Sequence, residues 1–130
     1  MPFPITPNAA YITITGTATI TGTEAVVPDG IRGVYIVMDV TTITGTAPTI
    51  TPAYQIKDQV SGKFVQIHAN LTAVGATGTT TYLLYPNAPA AAGGITATAG
   101  FPVGGIARVV LTYGGTVTAT AGTVALHWLG

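Results

Sequence analysis

Residues 31–44, Ile31-Arg32-Gly33-Val34-Tyr35-Ile36-Val37-Met38-Asp39-Val40-Thr41-Thr42-Ile43-Thr44, decide the fold class. Val34, Ile36, Met38 and Val40 fall on one side of an extended chain, and Tyr35, Val37, Asp39 and Thr41 on the other. A period of two is the mark of a strand. Both sides are apolar in the middle, which predicts a central strand with neighbours on each edge.

The same alternation continues outward in both directions. Towards the N-terminus, Ile12, Ile14, Ala18 and Ile20 oppose Tyr11, Thr13, Thr15, Thr17, Thr19 and Thr21, with an interruption expected at Gly16. Val27-Pro28-Asp29-Gly30 has turn chemistry. Towards the C-terminus, Gly45-Thr46-Ala47-Pro48 predicts a turn into a strand over 49–58, where Ile50, Tyr54 and Ile56 share a side. Pro52 marks an edge or a bulge in that strand, because it has no N–H to give to a ladder. Asp58-Gln59-Val60-Ser61-Gly62-Lys63 predicts a polar hairpin turn. Strands follow over 64–71 and 77–85, the second ended by Pro86.

Residues 86–105 are rich in small residues and breakers, with a short strand expected at 95–98 and a role as an interaction loop. Residues 107–113 and 116–129 are predicted to close the chain as a hairpin about Gly114-Gly115. Val124, Leu126 and Trp128 share a face of the last strand. No segment shows helical periodicity. Seven to eight strands at even spacing predict an all-β fold, a single-domain antiparallel β-sandwich over residues 10–130. Ahead of it, residues 1–9 carry Pro2, Pro4 and Pro7 and read as an extended arm. Phe3 and Ile5 on that arm are candidate interface residues.

Composition narrows the function. Charged residues make up 6% of the 130-residue chain, against roughly 25% in an ordinary domain. Four basic and four acidic side chains leave a net charge of zero. Nucleic-acid binding requires clustered Lys and Arg, and Arg32, Lys57, Lys63 and Arg108 are far apart in sequence. No run approaches the roughly 20 apolar residues of a spanning helix, so neither nucleic acid nor membrane is expected as a partner. The start, Met1-Pro2-Phe3-Pro4, lacks the features of a secretory signal. Cysteine is absent, which removes disulfides and thiolate metal sites.

Catalytic chemistry finds few carriers. His68 and His127 stand alone, and a metal site needs three or four ligands. Glu24, Asp29, Asp39 and Asp58 lie in unrelated segments. Ser61 is the single serine and sits in a hairpin turn, outside any G-x-S-x-G setting. No glycine pair precedes a phosphate-binding Gly-Lys-Thr/Ser. Neither catalytic residues, nor cofactor, nor metal is expected. Asp39 shares strand parity with Tyr35 and Val37, so it predicts a charged spot on an apolar face. Pairing with Arg32 or Arg108, or burial as an interface salt bridge, is its expected use. Trp128 is a further candidate interface residue. The threonines at 13, 15, 17, 19 and 21 resemble the T-x-T arrays of ice-binding surfaces. They lack the repeat that stacks such rungs and are read as ordinary strand residues.

Several segments follow one another in order: Arg32-Gly33-Val34-Tyr35-Ile36-Val37-Met38-Asp39-Val40, Gly45-Thr46-Ala47-Pro48-Thr49, Gln55-Ile56-Lys57-Asp58 and Val60-Ser61-Gly62-Lys63. They continue with Thr79-Thr80-Thr81-Tyr82-Leu83-Leu84-Tyr85-Pro86 and Arg108-Val109-Val110-Leu111-Thr112-Tyr113-Gly114-Gly115. Over about residues 30–126 this order resembles small virion structural proteins of tailed bacteriophages, of the capsid-associated or head-decoration type. The resemblance implies a non-enzymatic, capsid-stabilising subunit of the virion, assembled in the host cytoplasm. Its implied partners are copies of itself, with a trimer expected, and the phage major capsid protein. A neck or tail subunit is the alternative within that class. A carbohydrate- or cell-surface-binding β-module is the alternative outside it. The chain shows no linker at either end, which favours a freestanding subunit over an appended module.

Overall fold

The computed structural model describes residues 11–27, 30–31, 33–67, 71–86, 95–99 and 105–129. The arm at 1–9, with Phe3 and Ile5, lies outside them, as do Arg32 and His68. The described chain is all-β: β1 Ile12–Thr15, β2 Ile20–Thr21, β3 Ala25–Val26, β4 Gly33–Lys57, β5 Phe64–Gln66, β6 Gly78–Pro86, β7 Ile95–Ala99 and β8 Ile106–Leu129. All eight belong to one sheet with the path β1-β8-β4-β6-β7. Strands β2 and β3 add to β8, and β5 adds to β4. Every pairing is antiparallel except β6 with β7, which is parallel.

The expected sequence of short hairpins is replaced by one long ribbon. Strand β4 has 25 residues and β8 has 24, and they pair along nearly their whole length. Straight, 25 residues would span about 80 Å, far more than a domain of this size with a radius of gyration of roughly 14 Å. The ribbon must therefore bend. It does so where Gly45-Thr46-Ala47-Pro48 meets Gly114-Gly115. Neither segment reverses the chain: Gly45 pairs with Val117, and Thr49 pairs with Gly114. The two expected turns are the two strands of one corner.

Backbone geometry explains why these residues looked like turns. Gly45, Ala47 and Gly115 have φ of 141°, 48° and 67°, values a regular strand avoids. A Cβ on Gly45 would lie 1.8 Å from the Thr116 carbonyl oxygen, and one on Gly115 would lie 2.0 Å from that of Ala47. Three register shifts fall between Val40 and Thr49. From the Val40–Gly122 pair to the Thr49–Gly114 pair, β4 advances 9 residues (49 − 40) and β8 only 8 (122 − 114). The extra residue moves the inward side of β8 from odd positions (Ala107, Val109, Leu111) to even ones (Val124, Leu126). In β4 the inward positions stay even on both sides of the corner (Val34 to Val40, then Ile50 and Tyr54). Bulges of this kind bend a strand and increase its twist.

The inward faces on both sides of the corner converge on one hydrophobic cluster. Val34, Ile36, Met38, Ile50, Tyr54, Tyr82, Leu84, Val109 and Leu111 are fully buried within it. Since the described chain offers no helix to cover an apolar sheet face, the sheet covers it with its own continuation. Tyr11 spans the two arms: its N–H donates to the Val124 carbonyl at 2.7 Å, and its hydroxyl donates to the carbonyl of Thr23. Gly22 leaves room for its ring, as a Cβ there would meet Tyr11 at 2.6 Å. At the corner, Thr120 Oγ1 donates to the Gly16 carbonyl at 2.6 Å and lies 3.1 Å from the Tyr113 hydroxyl.

Other local expectations are met. β4 is central, flanked by β8 and β6. The chain breaks at Gly16, whose φ is 74°. Asp58–Lys63 is a hairpin turn, closed by Asp58 N–H to the Lys63 carbonyl at 2.7 Å. Asp58 accepts from the Ser61 hydroxyl, Ser61 N–H and Val60 N–H, and these bonds hold its carboxyl below the usual range. Pro52 has the strand parity of Ile50, whose N–H bonds Val74 on the side away from β8. Its missing N–H thus points between the Val74 bridge and β5, where β4 has no ladder partner among the described residues.

Candidate interaction surface

The bent sheet has two outward faces, one on each arm. On the first arm, cross-strand pairing places outward residues in rows. One row runs Thr13–Thr123–Asp39–Thr79, the next contains Ala125–Val37–Thr81, and the third His127–Tyr35–Leu83. Tyr35, Val37, Leu83 and Ala125 are half-buried although no further layer of described residues covers them, while Thr13, Thr81, Thr123 and His127 are exposed. Tyr35 and His127 stack with ring centroids 4.4 Å apart and planes 13° from parallel. That contact makes a flat, rigid patch.

Asp39 is the charged residue of this face among the described residues, half-buried in the row nearest the corner, between Thr123 and Thr79. Thr79 Oγ1 donates to its Oδ1 at 3.2 Å. It does not pair with Arg108, which lies opposite Gln55 on the other arm. Trp128 is placed apart from Asp39: opposite Val34, it packs against the core from the inward side. Its indole N–H is buried with no acceptor among the described residues.

The outward face of the second arm is polar and cationic. Gln66, Gln55 and Arg108 form one row across β5, β4 and β8. Arg108 Nε donates to Gln55 Oε1 at 2.8 Å, and its guanidinium lies 4.0 Å from the Phe64 ring centroid. Lys57 sits 6.0 Å from the same ring and 3.6 Å from Glu24 Oε1, in the one ion pair among the described residues. Ala53, Val110 and Ile106 are half-buried beside this row, and Val26 is exposed.

Sequence parity had already placed Asp39, Tyr35 and Val37 together. The Tyr35–His127 stack and the Arg108–Gln55–Phe64 group were not foreseen, because they depend on which strands pair. The threonine run also divides: Thr13 and Thr15 lie in β1 against one arm, and Thr21 lies in β2 against the other. No group of three His, Cys, Asp or Glu that could hold a metal occurs among the described residues. A shallow cleft between the 72–77 segment and β6 is lined by Thr, Ala, Gly and Val residues with Tyr82. The Tyr82 hydroxyl is spent on the Thr72 carbonyl at 2.8 Å. Burial raises the Tyr82 pKa to about 12 and pushes those of Tyr54 and Tyr11 upward too. These tyrosines serve the interior as neutral phenols.

No protein-family model matches the chain, and no curated protein or solved structure matches it either.

Proposed function

We propose that this chain is a non-enzymatic structural subunit of a tailed-bacteriophage virion, a head-decoration or capsid-stabilising protein that works by packing against copies of itself and the major capsid protein. The observation that supports this reading most is the outward face of the first arm. Tyr35, Val37, Leu83 and Ala125 form an apolar stripe beside a single carboxylate, on a sheet whose corner is fixed by close backbone approach. Interfaces are enriched in aromatic residues and poor in charge at their centres, and this face has that composition. A rigid sheet also loses little conformational freedom on docking. Repetition over a shell turns modest contacts into strong attachment.

The test is the copy number of the chain in purified particles, together with its binding to capsids that lack it. Hundreds of copies on the head, and saturable binding to bare capsids, are expected. A dozen or fewer copies would move the subunit to the neck or tail. Absence from particles, with no binding to capsids, would overturn the reading.

A further inference from the structure

The two outward faces differ in a complementary way. The first presents one carboxylate, Asp39, between Thr123 and Thr79, with Val37, Ala125, Tyr35 and Leu83 in the next two rows; the second presents the Arg108 guanidinium beside Gln55 and Phe64, with Lys57 over the same ring and Ala53, Val110 and Ile106 alongside. Among the described residues the single ion pair is Lys57 with Glu24, so neither Asp39 nor Arg108 has an ionic partner there. Both are half-buried, and both are held in place. Thr79 fixes one carboxylate oxygen of Asp39. Gln55 and the Phe64 ring hold the Arg108 guanidinium flat, with its Nε already spent. A half-buried charge loses part of its hydration, and neither of these two gains an opposing charge in return. Placing Asp39 against a guanidinium would compensate that loss and form a charge-assisted bond.

Within one chain this pairing does not occur, because the two residues lie on different arms of the bent ribbon. Between two chains it can. We infer that the Asp39 face of one copy docks on the Arg108 face of a second copy, in a head-to-tail contact whose central bond joins the Asp39 carboxylate to the Arg108 guanidinium. This rests on the self-association included in the proposed function and specifies its surface. A contact between two different patches is heterologous, so it generates a closed ring if the rotation closes and a filament if it does not. The apolar residues beside each charge would supply the buried area, and the charge pair would set the register and exclude like-with-like docking.

The test uses the full chain in sedimentation velocity, with circular dichroism and thermal melting as controls for folding. The parent is expected to self-associate, and less so at high ionic strength. Asp39→Arg sets a guanidinium against Arg108 and should weaken self-association about tenfold or more. Arg108→Asp should do the same. Mixing the two variants in equal amounts, or combining them in one chain, restores opposite charges and should restore assembly. Should Arg108→Asp fail to fold, Arg108→Gln, which can still reach Gln55, with Asp39→Asn, replaces the swap. Each is then expected to weaken assembly, with the double variant no weaker than the worse single. A parent that stays monomeric at high concentration would overturn the inference. So would single variants that assemble like the parent, or a mixture that remains apart. If variants assemble normally yet the parent coats capsids, this surface is wrong and the proposed function stands. If the swap behaves as expected and capsids are not bound, the proposed function is the part that fails.

Discussion

The two arms of the β4–β8 ribbon are built from the same two strands, yet they are unequal. The first arm is flanked on both sides, by β1 beyond β8 and by β6 and then β7 beyond β4. Among the described residues the second has the two-residue β2 and β3 on one side, and the three-residue β5 with the Ile50–Val74 bridge on the other. Outward side chains follow the same division, with an apolar and threonine-rich face on the wide arm and a glutamine, arginine and lysine face on the narrow one. Width and surface chemistry are therefore properties of what each arm recruits, not of the ribbon that joins them. What the arms share is the core, and the corner that brings their inward faces together.

The comparison breaks most readily in that shared core. Ile36→Ala on the wide arm and Leu111→Ala on the narrow arm each remove a fully buried side chain and should cost about 2–5 kcal/mol. If the core is common, both variants lower one cooperative melting transition, as calorimetry would show. Two separate transitions, each sensitive to one variant, would mean that the arms fold independently.

The corner comes next. Gly115→Ala puts a Cβ against the Ala47 carbonyl at a positive φ and should cost roughly 3 kcal/mol. Gly62→Ala has a similar φ of 74° but open space around it, so it should cost about 1 kcal/mol. Chemical denaturation of the pair separates close approach from backbone strain. Equal losses would show that the corner is not tightly packed.

Alkaline pH probes the tyrosines of each arm. Tyr54 belongs to the narrow arm and Tyr82 to the wide one, and burial raises both pKa values above the ordinary 10.0. A raised folded pKa means that its contribution is fully present below about pH 10 and is lost as pH climbs through the folded value. Stability should hold to about pH 10 and fall towards pH 12 and above. Tyr82→Phe loses the bond to Thr72 but should flatten part of that fall. A pH profile unchanged by Tyr82→Phe would show that its phenol does not contribute.

The smallest effect belongs to the ion pair of the narrow arm, between half-buried Lys57 and exposed Glu24. Lys57→Ala removes its bond to Glu24 and should change stability by less than about 1 kcal/mol. A larger loss would mean that the contact of Lys57 with Phe64 carries packing as well as charge.

Much of this was legible in the residues. Val34, Ile36, Met38 and Val40, the Ile50 and Tyr54 pair, and Val124 with Leu126 each share a side as their alternation predicts, and that side is the buried one. The Asp58–Lys63 turn, the break at Gly16, the short strand at 95–99 and the local edge at Pro52 were equally readable. Gly45–Pro48 and Gly114-Gly115 were misread, for an instructive reason. Positive φ and small side chains are what a hairpin turn requires, and also what two strands require to cross closely at a bend. The residues alone do not distinguish the two.

The sequence by itself determined that the chain is all-β, which residues share a side in strands such as 34–40, and where the backbone departs from a regular strand. These follow from period-two geometry and φ preference, which act over a few residues. Only the tertiary structure decided that residues 107–113 pair with 50–56 rather than with the strand that follows them, and that all eight strands join one sheet. Pairing depends on partners distant in the chain and on the need to bury one continuous apolar face without a covering layer. The same long-range choice set the Tyr35–His127 stack and placed Asp39 and Arg108 on different arms, so the candidate surface came into view only with the fold.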